Sequence, residues 1–140
     1  MVEIITKSVE ETEQLGERIG ANLKGDEVLA LYGGLGMGKT AFTRGIAKAF
    51  GCENVVSSPT FAIVNEYEAA KTIYHYDMYR ITSWDDLYST GFFDYIGNGI
   101  VIIEWSENIE NAIPDTAIRI NIERLDDSMR KFTIEGDVDL

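Results

Sequence analysis

The sequence has 140 residues, and its 12 Lys and Arg against 24 Asp and Glu give a formal net charge of −12. This acidity argues against a broad nucleic-acid-binding surface, which needs a basic face; it suits a basic protein partner or simple solubility. The length predicts one domain over residues 1–140. The lack of a long apolar run or signal-peptide pattern predicts a cytoplasmic protein without membrane binding. A single cysteine, Cys52, excludes an internal disulfide.

The first predicted elements are a strand over Val2–Thr6 and a helix that continues to about residue 23. Ser8 and Glu11 have the spacing of a capping box at the start of this helix. Apolar residues then recur at helical spacing, which indicates one core-facing side, and Gly25 ends the helix.

A glycine-rich loop lies between a short apolar strand over residues 27–32 and a helix over residues 39–50. It fits the pattern G-x-x-x-x-G-K-[ST] with Gly33, Gly34, Leu35, Gly36, Met37, Gly38, Lys39 and Thr40. In such a loop, backbone N–H groups and the helix N-terminus hold a phosphate, the lysine reaches the β- and γ-phosphates, and the threonine hydroxyl binds Mg²⁺. We therefore predict a nucleotide-binding α/β protein.

Two strands are predicted next, over residues 60–67 and 72–79, and their short connection favours an antiparallel hairpin. Thr60, which follows Ser58-Pro59, is either a switch-loop hydroxyl that senses Mg²⁺ and the γ-phosphate or an ordinary threonine at a strand start.

Two polar residues stand among aromatic residues in the second strand of this hairpin. Burying an unpaired carboxylate is costly, so Asp77 needs either a functional partner or an ion pair, for which Arg80 is a candidate. His75 is the only histidine and cannot form a multi-histidine metal site, so a hydrogen-bonded structural role is favoured.

The remaining chain predicts a helix from a Ser83 cap to about Thr90, then aromatic packing residues around Phe92. An apolar strand over residues 100–103 follows, then a helix over Ser106–Ala112. Strands over residues 117–123 and 130–135 form a closing hairpin. The predicted fold is a phosphate-loop NTPase-like α/β domain, with a central, mostly parallel sheet flanked by helices and antiparallel hairpin additions.

Glu104 directly follows the apolar strand. A carboxylate at the carboxyl end of a core strand faces the phosphate loop and holds Mg²⁺, directly or through water, or orients the attacking water. The alternative is an ordinary acidic residue on the surface. The sequence contains no Asn-Lys-x-Asp guanine-recognition motif, so ATP is favoured over GTP.

Together these segments resemble the bacterial TsaE (YjeE) family, small ATPases of tRNA threonylcarbamoyladenosine biosynthesis. The resemblance rests on residues 31–40, Ser58-Pro59-Thr60-Phe61, Tyr74-His75-Tyr76-Asp77-Met78-Tyr79-Arg80, and Glu104-Trp105. It implies a phosphate-loop ATPase that works with TsaD and TsaB and meets tRNA only through their complex. Those partners place threonylcarbamoyl on adenosine 37 of tRNAs that read codons beginning with A. The family member does not perform that transfer; its ATP hydrolysis supports turnover.

The resemblance also implies roles for individual residues. The implied nucleotide-binding residues are Ser8, Thr12, Gly34, Leu35, Gly36, Met37, Gly38, Lys39, Thr40 and Trp105. Lys39, Asp77 and Glu104 would be catalytic, and Thr40 and Glu104 would bind the metal. Two other functions remain open: a small-molecule kinase, although no Arg-rich run typical of a lid is present, and a nucleotide switch that does not hydrolyse ATP.

Overall fold

The computed structural model describes residues 1–33, 38–52, 64–68, 70–78, 81–136 and 138. Residues 34–37 of the glycine-rich loop, the segment 53–63 with Thr60, and residues 79–80 with Arg80 lie outside the described residues. Within the described ranges, no helix is long and apolar enough to cross a membrane.

The described residues form one seven-stranded sheet in the order β1-β7-β6-β2-β5-β4-β3. Its strands are β1 (Val2–Thr6), β2 (Val28–Tyr32), β3 (Val64–Tyr67), β4 (Ile73–Asp77), β5 (Ile100–Glu104), β6 (Ile118–Arg124) and β7 (Arg130–Glu135). The four central strands, β6, β2, β5 and β4, are parallel, whereas β3–β4, β6–β7 and β1–β7 pair antiparallel. The predicted α/β class and both hairpins are therefore confirmed.

Helices cover both faces of this sheet: α1 (Val9–Ala21), α2 (Gly38–Ala49), α3 (Trp84–Ser89), α4 (Phe92–Tyr95) and a 3₁₀ helix (Ser106–Ala112). Alternate residues of β2 and β5 belong to two separate apolar clusters. One cluster contains residues of α1 and α2, and the other contains residues of α3, α4 and the 3₁₀ helix. Burial on both faces explains why these parallel strands are almost entirely apolar in sequence.

Helix α1 begins at the predicted Ser8 cap. The Ser8 side chain accepts a hydrogen bond from the Glu11 backbone N–H at 3.1 Å. The Glu11 carboxylate accepts from the backbone N–H of Lys7, one residue before the cap, at 3.1 Å. Both bonds satisfy donors that a helix start leaves open, so they fix where α1 leaves β1.

Helices α1 and α2 touch backbone to backbone through two glycines. A Cβ atom added at Gly16 would lie 2.2 Å from the Phe42 carbonyl oxygen, and one at Gly45 would lie 2.0 Å from the Glu13 carbonyl oxygen. No side chain fits at either position. The glycines therefore set how closely α2 approaches α1.

Two elements differ from the sequence expectations. Phe92–Tyr95 is a short helix, α4, rather than merely a packing segment, and it lacks a side-chain cap. The segment Ser106–Ala112 is a 3₁₀ helix interrupted at Ile109, whose φ of −129° is not helical. Both depend on packing, since Phe92 and Ile109 are buried under the sheet.

Candidate nucleotide-binding site

The glycine-rich loop joins the end of β2 to the start of α2, as its motif predicts. Gly33 follows β2 with φ of +125°, and a Cβ atom there would lie 2.4 Å from the Ile122 carbonyl oxygen, so only glycine fits. The predicted nucleotide-binding residues Gly34, Leu35, Gly36 and Met37 lie outside the described residues. Helix α2 then starts at Gly38 and has no acidic residue in its first turn, so no carboxylate there offsets its positive dipole end.

Lys39 is buried, with 3% of its surface exposed. Its Nζ donates a hydrogen bond to the Gly33 carbonyl oxygen at 2.7 Å and lies 5.0 Å from the centre of the Trp105 ring. Burial lowers the pKa of Lys39, while the charges of Glu104, Glu107 and Asp77 partly oppose that shift. The structure therefore holds a desolvated cation that can attract an anionic ligand, while the neighbouring carboxylates favour a ligand that brings a cation with it.

Two carboxylates meet at the carboxyl edge of the sheet. Asp77 ends β4 and Glu104 ends β5, and the two residues are partners in the parallel register. Glu104 is buried with 8% exposure, and Asp77 is half-buried. The structure thus brings Lys39 and both predicted acidic residues together.

Glu104 is held from the side by the hairpin. His75 Nε2 lies 2.5 Å from Glu104 Oε2, and His75 Nδ1 lies 3.4 Å from Tyr67 Oη. His75 is fully buried, as expected for a hydrogen-bonded structural histidine. Its partner, however, is one of the predicted site carboxylates.

Trp105 reverses the chain directly after Glu104. It adopts the left-handed conformation (φ 61°, ψ 42°), the sole non-glycine with positive φ in the described part of the chain. Such a conformation costs roughly 1 kcal/mol or more for a bulky residue and is characteristic of functional sites. The turn places the indole near Lys39 and starts the 3₁₀ helix, whose Glu107 carboxylate accepts from the Gly33 N–H at 3.5 Å.

A small cavity lies at the other side of the loop, beside the start of α2. It is lined by Ser8, Val9, Thr12, Gly38, Ala41, Asp127, Ser128 and Arg130. The predicted Ser8 and Thr12 therefore lie next to the start of α2. Arg130 is almost buried, and its Nη1 donates to the Asp126 and Met129 carbonyl oxygens at 2.8 and 3.0 Å.

The donor set suits Mg²⁺ bound together with phosphate better than a metal held by protein alone. Within the described residues, no group of three His, Cys, Asp or Glu side chains could hold a metal ion. Mg²⁺ usually takes one or two carboxylates and completes its shell with water and phosphate oxygens. Thr40 in the first turn of α2, Asp77 and Glu104 are described residues whose oxygens could contribute to such a site.

Residues 6–132 match the family model described as "Threonylcarbamoyl adenosine biosynthesis protein TsaE". The chain belongs to the TsaE family. This TsaE chain is 43% identical over 135 residues to the Aquifex aeolicus "tRNA threonylcarbamoyladenosine biosynthesis protein TsaE", which covers 94% of each chain. It is 38% identical to the Bacillus subtilis protein of that name, over 91% of this chain and 81% of the relative. The crystal structure of Bacillus subtilis YdiB superposes with a TM-score of 0.77 at 33% identity, covering 95% of this chain and 83% of that one.

Sequence reasoning missed three residues that surround the site in this TsaE chain: Tyr67, Glu107 and Arg130. Tyr67 is the last residue of the strand predicted over residues 60–67, and only the pairing of β3 with β4 shows that it meets His75. Glu107 lies near Gly33 because of the left-handed turn at Trp105, and Arg130 lies near Gly38 because β7 pairs back onto β6. No local sequence pattern predicts either approach.

Proposed function

We propose that this TsaE chain binds ATP with Mg²⁺ and hydrolyses it in support of tRNA threonylcarbamoyladenosine formation. The observation that supports this best is the grouping of buried Lys39 with Asp77 and Glu104, at the N-terminus of α2. One cation and a helix end suit a triphosphate, and two carboxylates suit its magnesium ion. The pathway comes from the relatives, which are tRNA threonylcarbamoyladenosine biosynthesis proteins.

In this proposal, each residue has a defined task. Lys39 exchanges its hydrogen bond to the Gly33 carbonyl oxygen for the β- and γ-phosphate oxygens. Thr40 and Glu104 bind the metal, and Asp77 supports them from the adjacent strand. Bound Mg·ATP supplies an activated phosphoryl group, and Glu104 orients the water that attacks it.

The nucleotide would extend away from this edge along the loop. Gly34, Leu35, Gly36, Met37 and Gly38 supply backbone N–H groups to the phosphates. Ser8 and Thr12 line the small cavity beside Gly38, and we propose that they contact the nucleotide there. Trp105 lies beside the nucleotide, on the Lys39 side.

The proposed partners are TsaD and TsaB, with tRNA met through their complex in the cytoplasm. They transfer threonylcarbamoyl to adenosine 37 of tRNAs that read codons beginning with A, while ATP hydrolysis by the TsaE domain supports turnover. The net charge of −12 suits contact with a protein complex better than direct binding of tRNA. Hydrolysis is expected to be weak alone and stimulated by the complex.

The test is phosphate release from ATP, measured with and without purified TsaD–TsaB and tRNA. We expect stimulation by the complex, a requirement for Mg²⁺, and loss of the signal in Lys39→Ala. Tight ATP binding without phosphate release in any mixture would instead support a nucleotide switch. Transfer of the γ-phosphate from ATP to an added small molecule would support a kinase.

A further inference from the structure

A chain of hydrogen bonds runs across three neighbouring strands and ends on Glu104. Asn65 Nδ2 on β3 donates to Tyr67 Oη at 3.5 Å. Tyr67 Oη lies 3.4 Å from His75 Nδ1 on β4, and His75 Nε2 lies 2.5 Å from Glu104 Oε2 on β5. Tyr67, His75 and Glu104 are all buried, so water competes little for these bonds.

The chemistry of these groups gives the chain a direction. An ionised carboxylate only accepts hydrogen bonds, so His75 Nε2 carries the proton that is donated to Glu104. In a neutral imidazole the other nitrogen, Nδ1, is then an acceptor, and Tyr67 Oη donates to it. The Tyr67 oxygen is left to accept from Asn65. In this tautomer, the Tyr67 hydroxyl and the Glu104 carboxylate engage opposite nitrogens of the His75 ring.

The full burial of His75 favours a role through its contacts with Tyr67 and Glu104 over direct contact with solvent. It is fully buried, and it lies two residues before Asp77 on the same face of β4. Strand β3 pairs antiparallel at the edge of the sheet and brings Tyr67 to the far side of the ring. The hairpin therefore holds Glu104 Oε2 through His75. This leaves Oε1 as the oxygen through which the carboxylate can act on water or a metal ion.

We propose that His75 and Tyr67 are positioning residues that hold the Glu104 carboxylate in one orientation for its action on metal-bound or attacking water. This inference rests on the proposed ATP hydrolysis. It adds that the β3–β4 hairpin, beyond covering a sheet edge, sets the efficiency of the chemical step. Partners that orient a functional group of a metal site typically matter by about 10- to 100-fold.

The experiment measures kcat, KM for ATP and ATP affinity in the presence of TsaD–TsaB and tRNA. We expect His75→Leu to lower kcat about 100-fold, with KM and affinity changed less than about threefold. His75→Gln, whose amide can still donate to Glu104, should recover at least about tenfold of that loss. Tyr67→Phe should lower kcat about fivefold, and its matched control Tyr88→Phe, at an exposed hydroxyl, should match the wild type.

A double-mutant cycle decides whether the two residues act through Glu104. In a Glu104→Gln background, the same His75→Leu and Tyr67→Phe changes should lower the residual rate by less than about twofold. Full, additive losses in that background would overturn the proposal, as would a normal kcat in properly folded His75→Leu and Tyr67→Phe. If Glu104→Gln is inactive while His75→Leu is normal, only this inference fails. If the wild type releases no phosphate, the proposed function fails and this inference with it.

Discussion

Helix α2 contributes to two regions that are built by different forces: its contact with α1 and, through Lys39, the carboxyl edge of β4 and β5. At Gly16 and Gly45 the helices meet backbone to backbone, and shape alone decides the fit. At Asp77 and Glu104 the structure gathers carboxylates around a buried lysine, and charge decides the behaviour. The first arrangement stabilises the fold, whereas the second keeps ionisable groups out of water and so favours function over stability.

The largest effect is expected from a substitution of Lys39. Lys39→Ala should lower ATP hydrolysis roughly 10²- to 10³-fold, because the phosphates lose their buried cation. Folding should not suffer from the loss of charge, since burial lowers the pKa of Lys39 and thus disfavours its charged form. Phosphate release and urea denaturation measure the two effects. Unchanged ATP and ADP binding would remove the phosphate-loop assignment.

Removing a negative charge from the same edge should separate binding from chemistry. Glu104→Gln keeps the size of the side chain and should reduce kcat about 100-fold, with ATP affinity within about threefold. Titration of a fluorescent ATP analogue beside the phosphate-release assay checks this. A variant that hydrolyses ATP normally would show that Glu104 is only an acidic residue at a strand end.

The helix contact should respond in the opposite way. Gly45→Ala forces a methyl group against the Glu13 carbonyl and should lower the free energy of unfolding by about 2 kcal/mol. The kcat of the folded fraction should change little, because the carboxylates of Asp77 and Glu104 lie on strands rather than on α2. The neighbouring Arg44→Ala breaks only a partly exposed ion pair with Glu13 and should cost less than about 0.5 kcal/mol. Equal stability of these two variants would contradict a shape-limited contact.

Glu27 lies at the opposite end of β2 from the glycine-rich loop, and its charge affects stability rather than a functional site. Burial tends to raise the pKa of Glu27, but the backbone N–H groups of Lys24, Gly25 and Asp26 outweigh it and lower that pKa below its ordinary value. A lowered folded-state pKa adds stability above the unfolded-state value and loses it as the pH falls through the folded-state value.

Glu27→Gln should therefore destabilise the protein by about 1 kcal/mol at pH 7, and by progressively less below about pH 4.5. Urea denaturation at several pH values measures this. ATP hydrolysis should be unchanged, because Glu27 lies at the other end of β2 from the loop. A difference that persists in acid would show that shape, rather than charge, matters at this position.

Much of this architecture follows from local patterns. The apolar runs of β2 and β5, the Ser8 and Ser83 caps and the short hairpin connections predict elements that the structure confirms within a few residues. The meeting of Asp77 with Glu104 also follows, because parallel strands bring their carboxyl ends to one edge.

The rest depends on contacts between distant parts of the chain. Helix α4 has no side-chain cap and forms where Phe92 packs edge-on against Tyr76, 5.6 Å between ring centres. The approach of Arg130 to Gly38 requires the position of β7 in the sheet, which no local spacing encodes. His75 lies between these cases. Its place two residues before Asp77 was visible in the sequence, but its partner Tyr67 became apparent only from the pairing of β3 with β4.

The pairing of β1 with β7 has a consequence for how the molecule folds during synthesis. Val2 pairs with Ile134, and Thr6 pairs with Arg130, so the first strand waits for the last one. Closing so long a loop is slow, because its entropy is lost before the contact is gained. Ser8 and Thr12 follow β1 directly and share their cavity with Arg130. A ribosome-bound chain can therefore pair β2, β5 and β4 before β7 has emerged, but it completes the cavity beside the start of α2 only when β7 is in place.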